Sequence, residues 1–163
     1  LFSGSIRDNI AYGETGEVSD EAVIQAAKLA DADGFIRQLP QGYGSDVGVG
    51  GALLSGGQRQ RVAIARTMLS DPEYLLMDES GASLDHKSDI TIYRTIREHM
   101  KGRTIVVVAH DMCSVMDADH IIVLNSGSLE AVGAHAELLK TSPTYRTYLE
   151  LQGCVPAGEE AGR

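Results

Sequence analysis

The chain has 163 residues, with 14 Lys and Arg against 23 Asp and Glu, for a formal net charge of −9. That length suits one domain with a real core, and the acidic balance excludes the nucleic-acid phosphate backbone as a default partner. No apolar run approaches the roughly 20 residues a membrane helix needs, and no signal peptide or internal repeat is visible. Cys113 and Cys154 lie far apart and match no metal spacing, so free thiols in a reducing compartment are expected. With Leu1 rather than methionine in first place, the sequence reads as an excised or incomplete piece.

Leu1 to Gly13 reads as a loop leading into a short helix. Ser5 caps it, Asp8 supplies the reciprocal carboxylate three residues on, and Gly13 ends it. Glu14 to Val18 is a polar linker. Ser19 caps a second helix whose first turn holds Asp20 and Glu21. Its single apolar stripe, Val23, Ala26, Ala27 and Ala30, makes it dependent on neighbours for burial. Phe35, Ile36 and Leu39 continue as a shorter helix that Pro40 stops. Gln41 to Gly51 is a glycine-rich loop.

In Leu54-Ser55-Gly56-Gly57-Gln58-Arg59-Gln60-Arg61 a hydroxyl and two glycines stand just before a helical pattern. That pattern is Val62, Ala63, Ile64, Ala65, Met68 and Leu69. Helix N-termini carry unpaired N–H groups and positive dipole ends, which suits an anionic oxygen. A glycine-rich turn that merely caps a core helix has the same pattern. Pro72 ends the helix. Tyr74-Leu75-Leu76-Met77 then reads as a buried strand that stops on Asp78-Glu79. Two carboxylates at the carboxyl end of a buried strand lie where α/β folds place ligand chemistry.

Asp85 is a candidate N-cap for the helix that carries Ile92, Ile96 and Met100. Gly81 to Ser88 nearly fits G-x-x-x-x-G-K-[ST], but His86 stands where the second glycine must be. A side chain there blocks the approach of backbone to phosphate, so no Walker A motif is assigned. Gly102 ends the helix. Thr104 to Ala109 is a β-branched buried strand that delivers His110 at its carboxyl end. Asp111 can cap the next short helix. Ile121 to Leu124, Asn125-Ser126-Gly127 and Leu129 to Val132 form a hairpin. A helix follows with His135 in a structural role. Pro143 breaks it, and Tyr145 to Leu151 form the last helix. Gly153 to Arg163 has no apolar period and is expected to be disordered.

These segments, in this order, resemble the ATP-binding cassettes of ABC transporters, over Leu1 to about Gln152. Leu54 to Gln58 is similar to the signature loop, and Tyr74 to Glu79 to the Walker B strand. Ser80 to Asp85 is similar to the D-loop with its small residues permuted, and His110 resembles the switch histidine. Leu1 to Ile10 and Ser45 to Gly48 are close to exporter stretches. Val49 and Gly50 replace the acidic and basic residues usual there, and Asp111 replaces a usual basic one.

The resemblance implies an α/β, P-loop NTPase-like partial domain, with a mostly parallel sheet, flanking helices and an α-helical subdomain. Residues 1–57 would form that helical subdomain with its loops, 58–152 the RecA-like lobe and 153–163 a tail. Asp78 would hold Mg²⁺, Glu79 would orient or deprotonate the attacking water, and His110 would steady the γ-phosphate. Ser55, Gly56, Gly57 and Gln58 would clasp the γ-phosphate of ATP held by a second cassette, and Asp85 would cross to that partner. The implied function is that of an ATP-hydrolysing exporter cassette. It would sit at the cytoplasmic face of a membrane and dock on transmembrane domains. Without a P-loop, the isolated chain is expected to bind ATP poorly and not to hydrolyse it. The alternative is a truncated, non-catalytic cassette acting as an interaction module on an intact partner. A soluble DNA-repair or translation ATPase is disfavoured by the exporter-like opening, the acidic charge and the absence of coiled-coil heptads.

Overall fold

The computed structural model describes residues 1–78, 94–109 and 112–154. Glu79, Asp85, His86, Ile92, His110, Asp111 and the tail from 155 onward lie outside the described residues. The chain divides into two compact units, Leu1–Val106 and Val107–Arg163.

The first unit is built on helices. α1 (Ile6–Ile10) starts at a capping box: the Asp8 N–H donates to Ser5 Oγ at 3.0 Å, and the Ser5 N–H donates to Asp8 Oδ2 at 3.3 Å. In α2 (Asp20–Leu29) the Ala22 N–H donates to Ser19 Oγ at 3.2 Å. Its stripe, Val23, Ala26 and Ala27, with Ala30 at the C-cap, is buried. α3 (Asp33–Gln38) ends because Leu39 is extended ahead of Pro40. Two 3-10 turns, Gly42–Gly44 and Val49–Gly51, carry the loop to α4 (Gly56–Ser70). α4 packs against α1 and α2, burying Val62, Ile64, Ala65 and Met68.

A buried side chain, Asn9, ties these pieces together. Its Oδ1 accepts from the Phe2 N–H at 2.9 Å and from Arg66 Nη2 at 3.0 Å. Its Nδ2 donates to the carbonyls of Phe2 at 2.8 Å and Ser5 at 3.0 Å. Arg66 Nε also donates to the Asn9 carbonyl at 2.6 Å. The Arg66 guanidinium lies over the stacked rings of Phe2 and Tyr12, 5.4 and 5.2 Å from their centroids.

β1 (Tyr74–Asp78) and β2 (Thr104–Val108) pair in a small parallel sheet, with helical residues 94–99 (α5) between them in sequence. Leu75, Met77 and Ile105 pack on the core beside Ile96 and Met100. The other side of β1 is open: Tyr74 is 76% and Leu76 72% exposed. Val106 on β2 is half exposed. The expectation of two buried strands is therefore corrected. Strand and length are as the apolar runs predict, but the described residues cover only one face. At the end of α4, Asp71 takes up the left-handed conformation that Asp tolerates, with φ 47°. Arg103 Nη2 donates to its Oδ2 at 2.8 Å, and Arg103 Nη1 donates to the Pro72 carbonyl at 3.1 Å. This clamp sits where the Thr104 N–H meets the Glu73 carbonyl at 3.3 Å, so it helps set the strand register.

The second unit holds α6 (Met112–Val115), the antiparallel pair β3 (Ile121–Asn125) and β4 (Ser128–Gly133), α7 (His135–Thr141) and α8 (Pro143–Leu151). Ser126 and Gly127, at φ 49° and 77°, make the two-residue turn that matches strand twist. Ile121, Val123, Leu138, Tyr145 and Leu149 form its core. His135 Nδ1 and the Tyr145 hydroxyl lie 2.7 Å apart, which gives this histidine the structural role expected of it. Cys154 is buried and disulfide-bonded, which corrects the expectation of free thiols for that residue. Residues far apart along a sequence can still meet in space, because closing a longer loop costs only slightly more entropy. Among the described residues no helix is long and apolar enough to cross a membrane.

The Arg103 guanidinium, by hydrogen bond and charge, holds the Asp71 carboxyl below its ordinary value. A lowered folded pKa means stability that is complete above the unfolded value, about 3.9 for Asp, and is lost as pH falls through the folded one. Thermal melts of the wild type and Asp71→Asn should therefore differ at neutral pH and converge below about pH 4. A gap that persists unchanged at low pH would remove Asp71 from this role.

Candidate functional site

The loop ahead of α4 is set from both sides. Val47 is buried, and its carbonyl accepts the Leu53 N–H at 3.0 Å. Gly51, at φ 81°, adopts a left-handed conformation and lies against the Arg59 side chain, where an added Cβ would come within 2.8 Å of Arg59 Cδ. Arg59 Nη1 then donates to the Leu54 carbonyl at 2.7 Å. One arginine thus holds the loop that leads to Ser55. The sequence reading assigned Arg59 no role; its place one turn after a glycine-rich loop was the only signal.

Ser55 is the N-cap of α4 and closes a capping box with Gln58. The Gln58 N–H donates to Ser55 Oγ at 3.3 Å, and the Ser55 N–H donates to Gln58 Oε1 at 2.9 Å. The S-x-x-Q spacing starts the helix at Gly56. Gly56 and Gly57 are therefore the first two helical residues and do not precede the helix as the reading had it. Their N–H groups stand in the first turn, where no intrahelical acceptor exists. Ser55 is exposed. A hydroxyl that accepts one N–H keeps its own hydrogen to donate, and the Gln58 amide keeps both of its own. The same cluster thus caps the helix and still presents donors outward.

Asp78 is the last residue of β1 and is exposed. It borders a groove of about 180 Å³, between α4 and β1, whose lining includes Gln60, Ile64, Thr67, Leu76 and Ile96. None of Ser55, Gly56, Gly57 and Gln58 lines that groove. A larger hollow of about 420 Å³, lined by Arg7, Ala11, Gly16, Glu17 and Val18, shares no residue with either place. The structure thus carries Ser55 to Gln58 on one element and Asp78 on another. Glu79, His110 and Asp85 lie outside the described residues.

No group of three or more metal-ligating side chains occurs among the described residues. Mg²⁺ does not require one. It keeps several waters and takes one or two carboxylates together with phosphate oxygens, a donor set that an exposed Asp78 at a strand end fits.

The ABC transporter family model matches residues 2–82. The chain is 45% identical, over 93% of its length, to an ATP-dependent lipid A-core flippase of Legionella pneumophila, of which it covers 26%. It is 41% identical, over 93% of its length, to a multidrug resistance ABC transporter ATP-binding and permease protein of Lactococcus lactis, of which it also covers 26%. Among solved structures, a bacterial Atm1-family ABC exporter with ATP bound superposes with a TM-score of 0.88 at 41% identity, covering 94% of this chain and 27% of that one. The chain spans about a quarter of the length of these relatives. By motif order, fold and similarity along nearly its whole length, it belongs to the ABC transporter family, among the export-type ATP-binding cassettes.

Proposed function

We propose that this chain is part of the ATP-hydrolysing cassette of a membrane exporter, which couples ATP turnover to transport across the membrane. The observation that carries this reading is the double use of Ser55 to Gln58. The side chains cap α4 internally, yet the hydroxyl of the exposed Ser55 and the first-turn N–H of Gly56 remain to meet an anionic oxygen. In this reading they clasp the γ-phosphate of a nucleotide held by a second cassette. Ser55 to Gln58 stand at the N-terminus of α4 and Asp78 at the end of β1, and this placement on different elements supports two composite sites over one self-contained site.

Asp78 holds Mg²⁺ directly or through water, and Glu79 orients the attacking water and takes its proton. His110 steadies the γ-phosphate, and Asp85 reaches the partner. Mg²⁺, when bound, neutralises charge on the phosphate oxygens during transfer. The helical subdomain with its loops (1–57) faces transmembrane domains at the cytoplasmic side of the membrane, and residues 58–152 form the catalytic lobe. A second cassette completes the assembly.

Ser55→Asp tests the loop. Aspartate is as good an N-cap as serine, so the melting temperature should stay unchanged. Its charge, however, repels a phosphate, and like charges at close range cost enough to lower ATPase activity roughly tenfold or more in a polypeptide that joins this chain to the rest of a cassette. Unaltered turnover would leave Ser55 as a cap and nothing else. In the same polypeptide, Glu79→Gln should retain ATP while hydrolysis falls by roughly 10²–10⁴, the range for loss of a general base. Near-normal turnover would take the base role from Glu79. The 163-residue chain alone, with no lysine-bearing phosphate cradle assigned, should show no steady-state ATP hydrolysis. Measurable turnover in a purified sample would refute that.

A further inference from the structure

Leu54 and Ser55 share one peptide unit, and both of its polar ends are held from the first turn of α4. Its oxygen, the Leu54 carbonyl, accepts from Arg59 Nη1 at 2.7 Å. Its N–H, that of Ser55, donates to Gln58 Oε1 at 2.9 Å. A planar peptide gripped at both ends keeps one orientation, and that orientation sets the direction in which the Ser55 side chain leaves the backbone. The grip on the oxygen comes from a charged donor, the stronger kind of hydrogen bond.

The arginine stem has a seat of its own. At Gly51, with φ 81°, an added Cβ would stand 2.8 Å from Arg59 Cδ and 3.1 Å from Arg59 Cγ. The Leu54 N–H donates to the Gly51 carbonyl at 3.0 Å, so the glycine that makes room for Arg59 also holds the residue that Arg59 grips. Further back in the loop, the Gly48 N–H donates to Asp46 Oδ1 at 2.8 Å and the Val47 N–H to the Gly4 carbonyl at 3.0 Å. Arg59 is exposed and fills no core. An exposed helix residue of this kind needs no fitted seat to keep a fold stable.

We infer that Arg59 is a positioning residue for the γ-phosphate clasp. It acts through the Leu54–Ser55 peptide, whose plane it fixes, and so determines where the Ser55 hydroxyl is presented; Gly51 is its seat. Nη1 is committed to a carbonyl of its own chain, which favours this indirect role over contact with the nucleotide. The inference rests on the reading above that Ser55 meets a terminal phosphate.

The test is made in a polypeptide that joins this chain to the rest of a cassette, by the KM for ATP and the inhibition constant of ADP. The two nucleotides differ by the γ-phosphate, so the clasp bears on ATP alone. Ser55→Gly removes the hydroxyl with little loss of capping. Arg59→Met keeps an unbranched stem against Gly51 and removes the donor. Each should raise the KM for ATP roughly tenfold, the order that a lost hydrogen bond to a charged group accounts for, with ADP inhibition unchanged. The double variant should be no worse than Ser55→Gly alone, because Arg59 acts only through Ser55. Gly51→Ala covers the case in which Arg59→Met does not fold: it displaces the same stem with the guanidinium intact and should give the same split. A split in Ser55→Gly that is missing from Arg59→Met and Gly51→Ala would overturn the inference and spare the clasp. Additive losses in the double variant would also overturn it, since Arg59 would then act on the nucleotide directly. No split in Ser55→Gly would defeat the clasp reading, and this inference with it.

Discussion

One buried amide, Asn9, decides where the helical part of this protein sits. It holds the backbone at Phe2 by both its N–H and its carbonyl, and it holds α1 at Ser5 and α4 through Arg66. A buried amide with unmatched donors or acceptors is costly, so this pattern admits one arrangement of the three pieces. The Arg66 guanidinium over Phe2 and Tyr12 adds an aromatic contact to the same junction. α4 is thereby held at Arg66 and packs on α1 and α2, and that packing supports the loop at its N-terminus. Loops that bind are most effective when a fixed scaffold positions them.

The chemistry at that loop follows from economy of hydrogen bonds. The Ser55–Gln58 box satisfies the Gln58 and Ser55 N–H groups within the chain. It consumes acceptor capacity only. The hydroxyl hydrogen, the Gln58 amide hydrogens and the first-turn N–H group of Gly56 remain as donors, while Gly57 is buried. A surface with donors to spare and a positive helix end above it suits anions and is poorly suited to cations. Asp78 presents the opposite character on a different element.

Burial is uneven in a consistent way. The helices of the first unit bury their stripes fully, while β1 and β2 leave Tyr74, Leu76 and Val106 exposed and the hairpin leaves four residues open. Strands with apolar side chains on both faces belong to layers covered on both sides. The short apolar runs state that requirement directly, and the described residues meet half of it.

Much of this was legible from local rules. Ser5 with Asp8, Ser19 with its acidic first turn, Leu39 before Pro40, and Ser126-Gly127 each determine a backbone geometry within four residues, and each element stands where those rules put it. The motif order of signature loop, acidic strand end and second strand was equally readable, because each depends on residue types at fixed spacing. What sequence could not decide depends on groups far apart along the chain. Asn9 meets Arg66, Arg59 lies on Gly51, Asp71 is clamped by Arg103, and Cys154 is disulfide-bonded although nothing near it in sequence asks for that. The helix start at Gly56 lies between the two: Ser55 and Gln58 have the spacing of a capping box, but the sequence reading set both glycines ahead of the helix. Local sequence determined the elements because caps and turns act over a few bonds. Only the tertiary structure decided which faces meet and which stay open, because packing joins residues that the chain itself keeps apart.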